Sequence, residues 1–438
     1  MRGVCCRVLT DHGLGGCMRR TAGCLLLGLF VSGQVVAQTV LVHPGVLVTN
    51  NQLNYVRDHI GQEPWKSALA LVLSNGNAKY TNLDYVPHPR ETVDCGSSSN
   101  PDNGCHEETD DATAAYTQAL LWRYTRNKKY ATNAVDILNA WANTLKGGHT
   151  NENAPLQAAW AAELFTRAAE IVKYYDPGGG PDGGNYWSQD DKDKVAKMFK
   201  DQYLPSIEQM FDTQSKYACY NGNWHASGIE AMLNIAVFNR NTTLFDDAVA
   251  KWRGLVPAYI YLKSDGPLPR RTPWCPRNDT QIVKQWFVPS DWIDGLSQET
   301  CRDEGHVAYG FAAIINAAET ARIQGVDLYG AEAERITKAM EFHARFQNGG
   351  SPPALSCGTP PQDVVINHGM IGTLEIGYNH YAIRQGMSLP ETQKFLEQTR
   401  PTSGEFHYRW ETLTHGLTGN ADAKQGRKKH SHQVKKEQ

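Results

Sequence analysis

The stretch PLQAAWAAELFTRAAEIVKYY, residues 155–175, carries the clearest fold signal in this chain of 438 residues. Its apolar residues recur every three or four positions, the spacing of one face of an α-helix: Leu156, Trp160, Leu164, Ala168, Ile171 and Tyr175. Pro155 suits the first turn of a helix, and the Asp-Pro-Gly-Gly-Gly sequence from Asp176 onward suits its end. The stretch therefore predicts one long helix.

Similar patterns fill most of the remaining chain. Ser188, followed by Asp190 and Asp191, predicts the cap of a helix that runs towards Phe211. Further helices are predicted over 111–126, 129–145, 226–239, 244–263, 304–324, 328–347, 367–385 and 391–399. This succession of helices with short turns predicts an all-α fold, a helical toroid rather than a small bundle, in a single catalytic domain over 38–420.

Two segments depart from this helical pattern. Residues 264–300 are rich in Pro and Trp, and a loop of this length inside a compact domain predicts a lid or a binding element. Residues 421–438 are polar and basic, which predicts a disordered tail.

The composition is that of a soluble globular protein, with 41% apolar and 20% charged residues. The net charge is −3, which gives no reason to expect nucleic acid as a partner. The chain has 11 Trp and 19 Tyr, which suit stacking against sugar rings, although most such residues pack in cores.

The N-terminus predicts an export signal. Arg19 and Arg20 precede an apolar run over 24–31, and Val35-Val36-Ala37 supplies small residues for cleavage before Gln38. Residues 1–37 are therefore predicted to be a signal peptide, with Met18 as a possible start. The apolar run is too short to cross a bilayer, so a secreted or periplasmic protein without membrane attachment is expected.

The cysteines favour disulfides over metal binding. Six of the 10 follow the predicted cleavage point: Cys95, Cys105, Cys219, Cys275, Cys301 and Cys357. An even number in an exported chain predicts disulfides. Cys95–Cys105 would close a polar loop and Cys275–Cys301 a longer one, although spacing alone leaves the connectivity open. No Cys-x-x-Cys spacing occurs, so no metal is predicted.

Two short motifs carry candidate chemistry: Asn221-Gly-Asn-Trp-His225 and Arg302-Asp-Glu-Gly-His306-Val-Ala-Tyr309. Asn223 and Arg302 can donate hydrogen bonds that neutralise a carboxylate. His225 can donate to that carboxylate or act as a base. These donors would acidify the C5 proton of a bound uronate, which is the first requirement of β-elimination.

The second motif also supplies groups for proton transfer. Tyr309 could take the C5 proton and return it to the leaving O4, provided that neighbouring cations activate its phenol. His306 would lie one helical turn before Tyr309 and could orient it. Each residue also has a structural reading, because a histidine or tyrosine can pack in a core and Arg302 can pair with Asp303 or Glu304.

At these residues the chain resembles the alginate lyase superfamily of helical-toroid polysaccharide lyases, as represented by families 5 and 38. The motifs that add to this resemblance are DATAAYTQALLW (111–122), NAPLQAAW (153–160), FTRAAE (165–170), EIGYNHY (375–381) and WETLTH (410–415). The resemblance implies an incomplete (α/α) toroid with substrate in a groove, and a mechanism without metal or organic cofactor.

The same resemblance implies roles for the two motifs. Asn223 and Arg302 would neutralise the carboxylate, and His225 and Tyr309 would handle protons. Trp224 separates the asparagine from the histidine, which is closer to family 38 than to family 5 and leaves open whether Asn221 or Asn223 contacts the carboxylate. Basic and aromatic side chains suit an anionic polysaccharide. The further candidates for the groove are Gln157, Trp160, Tyr220, Trp224, Arg270, Arg271, His368, Tyr378, Asn379 and His380.

The expected protein is a secreted, monomeric lyase that cleaves a β-linked poly-uronate, either alginate (polymannuronate) or glucuronan. One alternative is an inverting (α/α)-toroid glycoside hydrolase that uses Asp110 or Asp111 with Glu304. Another is a non-catalytic uronan-binding protein. The products distinguish these alternatives, because only a lyase forms a 4,5-unsaturated sugar.

Overall fold

The computed structural model describes residues 40–174, 187–349, 357, 369–370 and 372–419. These residues belong to one compact unit. The predicted signal peptide, the predicted basic tail and His368 lie outside the described residues.

Within the described residues the chain forms 17 α-helices, which dominate the fold. They are α1 (Asn50–Asp58), α2 (Trp65–Val72), α3 (Ala78–Thr81), α4 (Cys105–Thr125), α5 (Lys128–Thr144), α6 (Ala154–Tyr174), α7 (Gln189–Met198), α8 (Leu204–Glu208), α9 (Gly222–Phe238), α10 (Thr242–Tyr259), α11 (Asp279–Gln285), α12 (Glu304–Ile323), α13 (Leu328–Ala331), α14 (Ala333–Gln347), α15 (Glu375–Tyr378), α16 (Pro390–Thr399) and α17 (Glu411–His415).

Shorter elements complete the described fold. The π-helical segments are Phe199–Tyr203 and Asn379–Arg384, and the 3-10 turns are Asn75–Asn77, Ser97–Ser99, Gln209–Phe211, Lys216–Cys219, Lys263–Asp265 and Phe406–Tyr408. A small sheet joins β1 (Val93–Cys95) to β2 (Asp102–Asn103) in antiparallel fashion and to β3 (His149–Thr150) in parallel fashion.

Most of the predicted long helices are present, and the all-α prediction is confirmed. The helix predicted over 367–385 is shorter, because its described part becomes helical only at Glu375 and continues as a π-helical segment to Arg384. The helix predicted over 328–347 is divided into α13 and α14. The opening stretch forms α6, and the side chain of Ser188 caps α7 by accepting a hydrogen bond from the backbone N–H of Asp191. The predicted helix over 244–263 ends earlier, at Tyr259, because Ile260 pairs with Ser297 as an isolated β-bridge. The predicted loop 264–300 contains a helix, α11, and the sequence patterns missed α1, α2 and α3.

The helices form two layers around a ring. Helices α4, α6, α9 and α12 pack side by side in chain order, and α15, α17 and α1 continue from α12 back to α4. Helices α5 and α10 pack on α4 and α9 respectively. The inner helices are buried on almost all faces, as expected for helices that are apolar all round.

Three disulfides link described cysteines. The predicted Cys95–Cys105 pair is present. The suggested Cys275–Cys301 pair was wrong, because Cys275 bonds to Cys219 and Cys301 bonds to Cys357. Each of these two bonds joins residues 56 positions apart, so the pairing depends on how distant segments pack. None of the described helices combines the length and the apolar character that crossing a membrane requires.

Candidate active site

Helices α9 and α12 bring the two sequence motifs together. Asn223 lies in the first turn of α9, and Tyr309 lies near the start of α12. Gly310 makes the close approach possible, because a Cβ atom there would meet the hydroxyl of Tyr259 and come within 3.2 Å of the Cα of Asn223. The absence of a side chain at Gly310 therefore lets the backbone of α12 touch that of α9.

Glu299 joins the two predicted carboxylate-binding residues. Nδ2 of Asn223 donates to both carboxylate oxygens of Glu299, at 2.7 and 2.8 Å, and Nη1 of Arg302 donates to Oε1 at 3.0 Å. Burial raises the pKa of Glu299, and these donors only partly oppose that rise. The amide and the guanidinium thus converge on one carboxylate, and Arg302 remains 32% exposed on the other side.

His306 is held by the residue that caps its helix. Oδ1 of Asp303 accepts a hydrogen bond from the backbone N–H of His306 at 2.8 Å, and Oδ2 accepts one from Nδ1 of the ring at 2.6 Å. Burial alone would raise the pKa of Asp303, but these bonds lower it below its usual value. The His306 side chain is 31% exposed, and its ring lies perpendicular to that of Tyr309 at 5.8 Å.

Tyr309 lies in an aromatic setting on the same edge. Its ring centroid is 5.5 Å from that of Trp160 on α6 and 5.7 Å from that of Phe406. Trp160 and Phe406 stack at 4.3 Å. The hydroxyl of Tyr309 donates to Oε2 of Glu405 at 3.1 Å. Burial, followed by the charge of Glu405, raises the pKa of Tyr309.

His225 does not join this group. Its ring is buried, Nε2 donates to the carbonyl of Met210 at 3.1 Å, and burial lowers its pKa to about 4. Phe211 and Trp274 pack around the ring at 5.7 and 5.5 Å. His225 therefore has the contacts of a neutral, hydrogen-bonded core histidine.

Four of the other candidates lie around the entry to α9. The ring of Tyr220 packs on Trp224 at 4.8 Å, and its hydroxyl donates to Glu152. Tyr220, His225, Arg270 and Arg271 line one small cleft. Arg270 pairs with Asp265 and Arg271 with Asp279, so both guanidinium groups have carboxylate partners.

The remaining described candidates are mostly held by structural contacts. Nε2 of Gln157 donates to Oε2 of Glu108 at 2.9 Å, in the core. Asn379 donates to the carbonyl of His415 at 2.6 Å, and His380 stacks on Tyr329 at 3.8 Å. Tyr378 is buried beneath the guanidinium of Arg400. Of the groove candidates that the structure describes, Trp160 is the one whose ring packs against Tyr309.

The carboxylates of the hydrolase alternative do not face each other across a cleft. Asp111 is buried and accepts hydrogen bonds from Tyr85, His88 and Trp141. Asp110 pairs with Lys79 on the surface. Glu304 is buried against His343 at 3.0 Å. All three have local structural partners.

One buried group in the described part of the chain offers possible metal ligands. Glu163, Glu230 and His407 present atoms within 4.8 Å of one another. The guanidinium of Arg167 already pairs with Glu230. This cation neutralises one of the two carboxylates, so a proton on the other suffices to make the group neutral.

A cleft beside α14 lies apart from these residues. Its volume is about 710 Å³, and its lining includes Phe342, Phe346 and Leu389. None of the candidate residues contributes to that lining. The candidate active site is therefore the edge formed by Asn223, Arg302, His306, Tyr309 and Trp160, which lies between α6, α9 and α12.

Comparison with known proteins identifies the family. A model of the alginate lyase family matches residues 61–352, which is more than half of the chain. The chain belongs to the alginate lyase family. It is therefore a member of a family of polysaccharide lyases. None of the curated proteins matches its sequence.

Solved structures of alginate lyases share the fold of this alginate lyase family member. The alginate lyase of Bacteroides ovatus is 14% identical with a TM-score of 0.57, over 86% of this chain and 100% of that chain. Alginate lyase A1-III of Sphingomonas species A1 is 16% identical with a TM-score of 0.54, over 85% of this chain and 97% of that chain. A tyrosine-to-phenylalanine variant of A1-III, complexed with a tetrasaccharide, is 17% identical with a TM-score of 0.53, over 84% and 96%. The (α/α) toroid predicted from the sequence is thus confirmed.

Several residues at the site of this alginate lyase family member escaped the sequence patterns. Glu299 lies three residues before Arg302, a spacing that could have indicated an ion pair. Asp303 precedes a helical pattern and could have been predicted as a cap. Glu405 and Phe406 gave no local signal, because the chain brings them to Tyr309 from almost 100 residues away.

Proposed function

We propose that this alginate lyase family member is an exported lyase that cleaves a β-linked poly-uronate, polymannuronate or glucuronan, by β-elimination. The observation that carries the proposal is the convergence of Asn223 and Arg302 on one carboxylate beside His306 and Tyr309. Donors that can bind the carboxylate of Glu299 are also suited to the carboxylate of a uronate. Neutralising that carboxylate makes the C5 proton easier to remove.

His306 suits the histidine role better than His225. Its ring is partly exposed and fixed by Asp303, so it can reach a sugar next to Tyr309. The buried His225 would have to break its hydrogen bond to Met210 to do the same. We therefore assign His306 to charge neutralisation or proton transfer at the substrate.

Tyr309 and Trp160 complete the proposed site. A single tyrosine can take the C5 proton and return it to O4 when both lie on the same face of the sugar, as in a β-linked mannuronate. Trp160 offers an aromatic surface next to that phenol. This geometry favours polymannuronate or glucuronan over polyguluronate.

A substrate panel tests the proposal. The secreted protein is incubated with polymannuronate, polyguluronate, glucuronan and hyaluronan, and the 4,5-unsaturated product is followed by ultraviolet absorbance. We expect turnover of the first or third polymer, and loss of about 1000-fold in kcat in Tyr309→Phe, with Tyr55→Phe as the control. Turnover of polyguluronate alone, or an active Tyr309→Phe, would contradict the single-tyrosine mechanism. N-terminal sequencing of the exported protein tests cleavage before Gln38.

A further inference from the structure

The phenol of Tyr309 meets an energetic obstacle in the proposed reaction, because it must give up its own proton to act as a base. The usual pKa of a tyrosine is about 10, so only about one phenol in a thousand is ionised at pH 7. Burial raises the pKa of Tyr309 further, as do the charges of Glu405 and Asp303. A base built on this phenol therefore needs a neighbouring group that accepts its proton.

Three carboxylates lie near the candidate active site, and two are already engaged. Glu299 accepts hydrogen bonds from Asn223 and Arg302. Asp303 accepts two from His306, one from the backbone and one from the ring. Glu405 accepts the hydrogen bond of the Tyr309 hydroxyl, at 3.1 Å. Of the three, Glu405 is the one positioned to take the phenolic proton.

The segment that carries Glu405 is anchored on both sides of Tyr309. Phe406 stacks on Trp160 of α6 at 4.3 Å. His407 is buried, and its Nε2 donates to the backbone carbonyl of Tyr309 at 2.8 Å. These contacts tie the backbone next to Glu405 to the same turn of α12 that carries the phenol. The Glu405 side chain is exposed, but the backbone that carries it is held next to Tyr309 by the packing of Phe406 and His407.

We propose that Glu405 is the proton acceptor of Tyr309, so that the two residues act together as the base; this inference rests on the proposed lyase function. The Tyr309 hydroxyl passes its proton to the Glu405 carboxylate in the same step in which the phenolic oxygen takes the C5 proton of the bound uronate, so no free phenolate has to form first. The electron pair from C5 forms the C4=C5 double bond as the C4–O4 bond breaks. Tyr309 then protonates O4, and Glu405 returns its proton to the phenolate.

The other described groups that face Tyr309 are not available to accept its proton. Asp303 and His306 on its own helix are bonded to each other. On the facing segment, burial lowers the pKa of His407 to about 3 and raises that of Tyr408, so both are neutral near pH 7. Trp160, which faces the phenol from α6, does not titrate. Glu405 thus supplies the proton acceptor that the mechanism requires.

The pH dependence of Glu405→Gln tests this role. The amide keeps the size of the side chain but cannot accept a proton, so we expect kcat at pH 7 to fall about 100-fold with KM little changed. The deficit should shrink as the pH rises towards 10, because hydroxide then ionises Tyr309 without help. Glu397→Gln, on the exposed face of α16, is the matched control and should behave as the wild type. Melting temperatures should agree among all three proteins.

The opposite outcome has a clear physical meaning. If Glu405 were only a negative charge beside the phenol, its removal would make Tyr309 easier to ionise, and Glu405→Gln would be as active as the wild type or more active at pH 7. That result, or a loss that is the same at every pH, would overturn the inference. It would leave the proposed function intact, provided that the wild type forms unsaturated product and Tyr309→Phe does not. Absence of unsaturated product from the wild type would instead reject both.

Discussion

The Glu163 carboxylate is buried, and its Oε2 lies 3.3 Å from Nδ1 of His407. Nε2 of His407 donates to the carbonyl of Tyr309, so in the neutral ring Nδ1 is an acceptor. Two acceptors at this distance need a proton between them. Burial, followed by the charge of Glu230, raises the pKa of Glu163 well above its ordinary value. We therefore expect Glu163 to be protonated near neutral pH.

Glu163→Gln tests this protonation state through stability. The folded protein holds the Glu163 proton more tightly than the unfolded chain, so wild-type stability falls as pH rises above about 4.5, the ordinary pKa. A glutamine at position 163 cannot ionise, so it causes no loss of stability as the pH rises, and its amide can donate to Nδ1 of His407. The free energy of unfolding of Glu163→Gln, relative to that of the wild type, should increase by up to about 1.4 kcal/mol for each pH unit, until the pH passes the pKa of Glu163 in the folded protein. Urea unfolding at pH 4.5, 6.0 and 7.5 measures the difference.

Glu319→Gln provides a control of opposite sign. Burial would raise the pKa of Glu319, but Arg322 and Arg384 lower it well below its ordinary value. Its removal should therefore destabilise the protein at neutral pH. A Glu163→Gln variant that is less stable at every pH, together with a wild type that a chelator destabilises, would instead indicate a metal ion among Glu163, Glu230 and His407.

At the same scale, the sequence predicted some site residues and missed others. Asn223, Arg302, His306 and Tyr309 could be proposed because they lie in two short motifs, 221–225 and 302–309. The positions of Glu299 and Glu405 relative to these residues depend on packing between elements, so no local spacing reveals them. Only the structure distinguishes the surroundings of the two histidines, because His225 is buried and His306 is partly exposed.

At the scale of elements, the contact between α9 and α12 determines the distance between Asn223 and Tyr309. Gly310→Ala should push the helices apart, because the new methyl group would meet the Tyr259 hydroxyl and the Cα of Asn223. We expect a loss of about 1–3 kcal/mol in unfolding free energy, and a fall in kcat that exceeds any change in KM. Denaturant unfolding and kinetics on the preferred uronan measure both effects.

Gly61→Ala is the matched control for Gly310→Ala. A Cβ atom at Gly61 would have no neighbour within 4 Å. It should therefore leave activity unchanged and stability unchanged or slightly improved. An active and fully stable Gly310→Ala protein would show that the close approach of α12 to α9 is not needed for the site.

Helix ends show where element-level prediction failed. Capping residues such as Ser188 could be predicted, since a side-chain oxygen and a backbone N–H three residues later are local partners. The end of α10 at Tyr259 could not be predicted, because the chain there pairs with a segment that is distant in sequence. The backbone N–H of Tyr261 donates to the carbonyl of Leu296, and the backbone N–H of Gln298 donates to the carbonyl of Tyr259. Competition from a distant strand-like segment leaves no signal within the helical pattern.

At the scale of the whole molecule, the segment 40–48 connects two helices of the ring. Glu170 of α6 is buried and accepts hydrogen bonds from His43 and from the backbone N–H of Gly45. The backbone N–H of Leu47 donates to Thr320 of α12 at 3.1 Å. The side chains of Val46, Leu47 and Val48 are fully buried. This segment therefore stabilises the packing of α6 and α12.

Two truncated proteins test the role of this segment. A chain that begins at Gln38 should have the same melting temperature as the full-length chain. A chain that begins at Thr49 should lose roughly 5 kcal/mol, because it exposes three core side chains and removes the hydrogen bonds of His43 and Gly45 to Glu170. Thermal unfolding of the two proteins measures the effect. Equal melting temperatures would show that the segment contributes little to the ring.

The sequence by itself determined the helical architecture, the Ser188 cap and the residue types of the site, and it suggested the Cys95–Cys105 disulfide. These features arise from contacts between residues a few positions apart, where spacing fixes geometry. The tertiary structure decided the partners of Cys275 and Cys301, the convergence of Asn223 and Arg302 on Glu299, and the pairing of Tyr309 with Glu405, which lies 96 residues away. Such contacts depend on how complete helices pack, and packing depends on the whole chain.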